Sequence, residues 1–151
     1  MKFLFVSSFL GAIGGIETLI ARMSNWLLKR GHRVTLLTTS VKESRQLFNG
    51  GIEIRELNDQ LAELCSCFRA KKAWEALGIE RPDVIKAFDL TASWIASALA
   101  LAIKPTPRTL FGNYFPYITL QSRNPLKALT YKLFLFNLRR NFPDDSILCI
   151  S

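Results

Sequence analysis

The chain has 151 residues, enough for one domain with a buried core, and 49% of them are hydrophobic, which excludes an intrinsically disordered protein. Its three cysteines, Cys65, Cys67 and Cys149, and its single histidine fit neither a disulfide framework nor a usual zinc site, so we predict a reduced, metal-free, cytoplasmic protein. The formal net charge is +8, and because the segment 90–143 carries seven Lys and Arg residues but no Asp or Glu, we expect an anionic partner: phosphate groups, nucleic acid or a membrane surface.

Strand-like and helix-like segments alternate from the N-terminus onwards. An apolar strand, KFLFVSS, is predicted at 2–8, and the stretch FLGAIGGIE follows it at 9–17. In the helix predicted over 16–30, apolar residues recur at i, i+3, i+4, i+7 and i+11, which places them on one face. The segment RVTLLTTS at 33–40 is rich in β-branched residues and predicts the second strand.

The remaining elements continue this alternation. We predict further strands at 52–57, 83–88, 108–115 and 146–151, and helices after Asn58 or Asp59, over 90–103 and over 126–142. The order β-α-β-β-α-β-α-β-α-β predicts an α/β fold: a doubly wound, mostly parallel, Rossmann-like sheet of about six strands in a single domain spanning 1–151. The longest apolar segment, 90–103, is too short to cross a bilayer and reads as a buried helix.

The glycine loop, residues 9–15, is the first candidate site. In open parallel sheets ligands bind beyond the carboxyl ends of the strands, and backbone N–H groups near Gly14 and Gly15 would face an anion there. The three glycines can equally serve only a tight turn. The spacing is neither the G-x-G-x-x-G of dinucleotide-binding proteins nor a P-loop. We interpret His32 as a helix-terminus residue rather than a catalytic base.

The stretch 2–39 resembles the opening of glycosyltransferases of the GT-B fold, in particular the large retaining family 4. The shared features are a strand, a G-G-x-E loop at Gly14, Gly15 and Glu17, an apolar-striped helix, and G-H-x-V before the second strand at 31–34. Further on, ERPDVIKAFD at 80–89 resembles the family's PDVIH-A-H strand. SILCIS at 146–151 resembles the strand that closes the family's N-terminal domain.

The resemblance implies two Rossmann-like domains facing across a cleft. Residues 1–151 would be the acceptor-side domain, and the C-terminal donor-binding domain is absent from this chain. The complete enzyme would transfer a sugar from a nucleotide-sugar to a glycan or lipid-linked acceptor, without a cofactor, whereas the 151-residue chain alone would be inactive. The alternative is a non-catalytic acceptor-binding or membrane-recruiting subunit that works with a separate donor-binding chain. A nucleotide-dependent oxidoreductase and a nucleic-acid binder are disfavoured, because the fingerprint and any reading motif are missing.

The resemblance also suggests residues for the site. Gly14 and Gly15 would approach the donor diphosphate and the transferred sugar, while Glu17 either orients the loop or favours the helix N-terminus electrostatically. Where the family often has a cleft-facing histidine after its fourth strand, this chain has Asp89. We predict that Asp89 is catalytic, as a hydrogen-bond acceptor or base, or that it caps the helix 90–103.

Near the family's second histidine position the chain has FGNYF, in which Asn113 and Tyr114 are candidate donor- or acceptor-binding residues. The last predicted helix combines apolar residues with a basic edge of Lys127, Lys132, Arg139 and Arg140. Such a helix could bind anionic lipid or a lipid-phosphate acceptor and hold the enzyme at the inner face of the membrane. It could instead bury its apolar sides against the sheet and the missing domain.

Overall fold

A computed structural model of the chain describes residues 1–48, 50–57, 70–113 and 147–149. In this part of the chain six parallel strands form one sheet in the order β3-β2-β1-β4-β5-β6. The strands are β1 Lys2–Ser7, β2 Arg33–Thr38, β3 Glu53–Glu56, β4 Val84–Ala87, β5 Arg108–Asn113 and β6 Ile147–Cys149. Five of them lie in residues 2–113, and the three-residue β6 extends one edge of the sheet. The predicted doubly wound, Rossmann-like domain is confirmed.

The described connections contain three α-helices and one 3-10 turn. They are α1 Gly15–Lys29, the turn Glu43–Leu47, α2 Ala70–Leu77 and α3 Leu90–Ala102. The helices predicted over 16–30 and 90–103 are therefore right to within one residue at each end. The helix predicted over 126–142 lies outside the described residues, as does the start of the helix predicted after Asn58. None of the helices in the described ranges is long and apolar enough to cross a membrane.

Both faces of the sheet are covered by apolar side chains, because successive residues of a strand point to opposite faces. Phe5 of β1 packs in the cluster that contains Ile20 of α1, and Leu4 packs in the cluster that contains Ile95 of α3. β1 is therefore buried by α1 on one face of the sheet and by α3 on the other. Because both faces are covered, its sequence is a continuous apolar run rather than an alternating one.

The central pair of strands positions the candidate site. β1 lies between β2 and β4. The chain leaves β1 through α1 towards β2, and it leaves β4 through α3 towards β5, so the winding direction reverses between β1 and β4. Val6 pairs with Ala87 in register, and Phe88 N–H donates a hydrogen bond to the Val6 carbonyl at 3.0 Å. The segments that follow β1 and β4 therefore leave the sheet side by side, at the edge where such folds bind ligands.

His32 follows the end of α1, as predicted, and it lies at the end of the sheet opposite the glycine loop. Its Nδ1 is 3.4 Å from the amino group of Met1, and its ring packs against Phe3 with 5.5 Å between the ring centroids. At the same end Glu80 pairs with Lys2 at 3.2 Å and with an arginine of β2. The hydrogen bond and positive charge of Lys2, followed by those of the arginine, lower the pKa of Glu80. This exposed charged end is separate from the glycine loop.

Candidate functional site

The glycine loop is held against the segment that follows β2. The Leu10 side chain is fully buried, and its N–H donates a hydrogen bond to the Ser40 carbonyl at 3.0 Å. The Leu10 carbonyl accepts hydrogen bonds from Lys42 N–H and from the Ser44 hydroxyl, each at 3.0 Å. Three hydrogen bonds thus fix the first half of the loop before the chain reaches the glycine pair.

Helix α1 begins at the glycine pair with no hydrogen bond from a capping side chain. Gly14 is the N-cap residue in an extended conformation (φ −131°), and its carbonyl accepts a hydrogen bond from Thr18 N–H at 3.0 Å. A Cβ atom added to Gly15 would meet no heavy atom within 4 Å. The helix start is therefore open on the Gly15 side, and the helix dipole places partial positive charge there.

The two glycines have different surroundings because of Glu17. The Oε2 atom of Glu17 lies 2.8 Å from where a Cβ atom on Gly14 would stand. The Glu17 carboxylate therefore folds back over the first turn, where negative charge is favourable. An alanine at position 14 would displace this flexible side chain, whereas a side chain at position 15 would extend into open space.

Asp89 follows β4 and connects three elements. Its Oδ1 accepts a hydrogen bond from Ala92 N–H at 2.9 Å, so the predicted N-cap of α3 is confirmed. Its Oδ2 accepts hydrogen bonds from Ser8 N–H at 2.7 Å and from the Ser7 hydroxyl at 3.3 Å. Because both oxygens bind donors within the domain, Asp89 fixes the end of β1 against the start of α3. Its catalytic role stays a prediction.

A depression of about 550 Å³ lies beside the glycine pair. Ile13, which is 50% exposed, and Arg22 of α1 line it together with the two glycines. The sequence reading missed Arg22, although an offset of seven residues from Gly15 places both on the same side of the helix. The open helix start and the guanidinium group make this depression suitable for a phosphate or another anion.

The structure leaves several predicted site residues untested. Asn113 ends β5, and its backbone pairs in register with Cys149 of β6. Its side chain is not among the described ones. Outside the described residues lie Tyr114 and the four basic residues of the last predicted helix, Lys127, Lys132, Arg139 and Arg140. In the ranges that are described, no three His, Cys, Asp or Glu side chains come together as a set of metal ligands.

Comparison with known families shows to which family this chain belongs. Residues 13–149 match the model of Glycosyltransferase Family 4. The chain belongs to glycosyltransferase family 4. The match begins within the glycine loop, after β1, and extends to β6, so it covers the glycine pair and β4. None of the curated proteins compared with this family 4 domain matches it.

Solved structures with a similar backbone show the fold alone. The Bordetella bronchiseptica enzyme WbmH, solved in complex with NAD+, superposes with a TM-score of 0.55 at 13% identity, over 99% of the family 4 domain and 55% of that chain. A putative short-chain dehydrogenase/reductase family oxidoreductase from Aeromonas hydrophila gives a TM-score of 0.51 at 14% identity, over 99% and 79% of the two chains. The family 4 domain therefore spans about half the length of the first of these neighbours.

Proposed function

We propose that this domain is the acceptor-side half of a retaining GT-B glycosyltransferase. The complete enzyme would transfer a sugar from a nucleotide-sugar to a hydroxyl of a glycan or lipid-linked acceptor. The observation that carries the proposal is the open start of α1 at Gly15, next to the point where the winding of the sheet reverses, in a chain of family 4. An anionic donor group could approach the backbone here, because no heavy atom lies within 4 Å of where a Cβ atom on Gly15 would stand.

The proposed chemistry relies on stabilising the leaving diphosphate. Gly14 and Gly15 at the start of α1 line the same depression as Arg22, so backbone N–H groups and a guanidinium group are available there. Fixed donors and positive charge aimed at a developing negative charge lower the barrier without having to reorganise during the reaction. Asp89 acts in this scheme as a positioning residue, because it holds the end of β1 next to the glycine loop.

The remaining assignments extend the same proposal. A second Rossmann-like domain would supply most of the nucleotide-sugar contacts, so the 151-residue chain alone would not transfer sugar. The complete enzyme would use the nucleotide-sugar as its donor substrate and would need no cofactor. The enzyme would work in the cytoplasm, recruited to the inner face of the membrane where a lipid-linked acceptor is presented.

Replacing Gly15 by valine tests the proposal in the complete enzyme. A β-branched side chain at this position would occupy the space that the donor diphosphate needs, while the open surroundings let the domain fold. We expect sugar transfer from a panel of UDP-, GDP- and ADP-sugars to fall by roughly tenfold or more, since small displacements of a bound reactant are costly. The free energy of unfolding should change by no more than about 0.5 kcal/mol.

The matched control is Gly50→Val, because a Cβ atom at Gly50 also meets nothing within 4 Å and this glycine is remote from α1 in sequence. Gly50→Val should keep full activity. A folded Gly15→Val enzyme with unchanged transfer would show that the glycine pair serves only the turn. A complete wild-type protein that transfers no sugar would favour the non-catalytic subunit instead.

A further inference from the structure

Lys86 is a buried cation in the middle of the sheet. It belongs to β4, whose four residues are all buried, and its side chain is only 5% exposed. Its Nζ lies 5.2 Å from the centre of the Phe88 ring, and neither an ion pair nor a hydrogen bond to Nζ is found within the described part of the chain. Burial lowers the pKa of Lys86, because the charged form is poorly solvated there.

The side chain borders an apolar groove, which we call the Lys86 groove. It lies between α1 and residues of β1, β4 and β5, and its volume is about 350 Å³, within the range of about 300–1,000 Å³ that is usual for small-molecule sites. Phe3, Phe5, Trp26 and Leu110 are among its walls. Trp26 is 53% exposed, so the groove is open at the α1 side.

The charged side chains that the structure describes around the Lys86 groove are all basic. Among the lining residues that belong to the described part of the chain, only Lys86 and Arg22 carry a charge, and none is acidic. A buried ammonium group without a counter-ion is costly, and an apolar molecule with a negative head group would offset that cost while covering the apolar walls. A free anion would pair with the ammonium group but leave the apolar walls exposed, and a neutral hydrocarbon would cover the walls but leave the ammonium group unpaired.

We propose that the Lys86 groove binds an amphiphile with one anionic head group, such as an alkyl phosphate or a fatty carboxylate. The head group pairs with Lys86 Nζ, with Arg22 as a second cation, and the hydrocarbon chain lies along Phe3, Phe5 and Trp26. The groove is lined by the sheet face and the second half of α1, whereas the glycine pair lies at the helix start. This inference therefore does not rest on the proposed transferase activity.

NMR spectra of the 151-residue chain can test the site, with decyl phosphate as the probe below its micelle concentration. The indole N–H signal of Trp26 should shift on titration, whereas that of Trp74, buried against the other face of the sheet, should not. Decanol provides the chain without the charge, and inorganic phosphate provides the charge without the chain. We expect decyl phosphate to bind roughly tenfold or more tightly than decanol, and phosphate alone to leave Trp26 unchanged. Decanoate in place of decyl phosphate separates the two head-group classes.

Two variants isolate the charge. Lys86→Met replaces the ammonium group by an apolar side chain of similar length, so it should remove the preference for decyl phosphate over decanol. Lys71→Met, at an exposed lysine of α2, should leave the preference intact. Equal affinity of the wild-type chain for decanol and decyl phosphate would overturn the proposal, as would a preference that persists in Lys86→Met. No shift of Trp26 with any of the amphiphiles would also overturn it and would leave the groove as a packing surface for polypeptide.

Discussion

Asp89 shows how one side chain can hold a cleft together. Its two oxygens accept hydrogen bonds from residues 3 and 81 positions away in sequence, one at the start of α3 and one at the end of β1. The cap was predictable, since Asp is a preferred N-cap before an apolar helix. The hydrogen bond from Ser8 N–H was not, because a contact between residues so far apart depends on the pairing of β1 with β4.

Removing the Asp89 carboxylate should destabilise the domain. Loss of the helix cap costs about 1 kcal/mol and loss of the charged hydrogen bond to Ser8 about 1.5 kcal/mol, so Asp89→Ala should lower the free energy of unfolding by about 2–3 kcal/mol. Asp89→Asn keeps an oxygen for Ala92 but presents no second acceptor, so we expect about half this loss. Urea denaturation of the 151-residue chain measures both. A loss below about 0.5 kcal/mol for Asp89→Ala would contradict the assigned connection.

At the scale of elements, the strands and helices follow from local pattern. β1, β2, α1 and α3 were predicted within one or two residues because their apolar periodicity and their end signals agree. The geometry of the site was harder to predict from the sequence than the strands and helices were. That Gly14 is covered by Glu17 and Gly15 is open follows from the rotamer of one side chain, which a G-G-x-E pattern does not encode. The burial of Lys86, in contrast, can be recognised from the sequence, because it is the one charged residue in the apolar strand VIKA.

Lys86 also makes the free energy of unfolding of the domain dependent on pH. Because burial lowers its pKa, the unfolded chain binds more protons than the folded one between that lowered pKa and the ordinary value of about 10.4. The free energy of unfolding therefore rises with pH across this window, as Lys86 loses its proton in the folded domain. At pH values below the window Lys86 is charged in both states, and the full cost of burying the charge lowers the stability. Arg22, the other charged residue of the groove, stays protonated throughout.

Lys86→Met should remove this dependence. At pH 7 the variant should be more stable than the wild type by roughly 1–3 kcal/mol, because an uncompensated buried charge has been replaced by an apolar side chain of similar length. The difference should shrink as the pH approaches about 10.4. Urea denaturation at a series of pH values, with Lys71→Met as control, tests both expectations. A Lys86→Met variant less stable than the wild type at pH 7 would show that the charge is compensated in the free domain.

On the scale of the whole molecule, charge is distributed unevenly along the chain. The segment 90–143 carries seven basic residues and no acidic one, whereas all but two of the acidic residues precede it. A surface that carries only positive charges attracts anionic partners, over a distance that is set by the ionic strength. This distribution follows from the sequence alone and is independent of how the last predicted helix is placed.

Vesicle flotation tests whether this charge recruits the protein to lipid. The 151-residue chain should float with vesicles rich in anionic lipid at low salt, bind neutral vesicles weakly, and dissociate at high salt, since each basic residue near such a surface contributes about 1 kcal/mol. Replacing Lys127, Lys132, Arg139 and Arg140 by Gln should abolish binding. The control replaces the exposed Lys29, Lys71, Lys72 and Arg81, which changes the net charge equally. Equal losses in both variants would show that only total charge matters.

The central place of β1 in the sheet has a consequence for biosynthesis. β1 is made first, yet one of its two partners, β4, ends only at Ala87, so the ribosome must add 80 residues after Ser7 before that edge can be paired. At about 5–20 residues per second this takes roughly 4–16 s. In the first part of this interval the apolar segment KFLFV has no partner strand, and once β2 has been made it has β2 on one side and an unpaired edge on the other. We therefore expect the nascent chain to depend on ribosome-associated chaperones until β4 emerges, and synonymous codons that slow translation of 40–87 to lower the yield of folded protein.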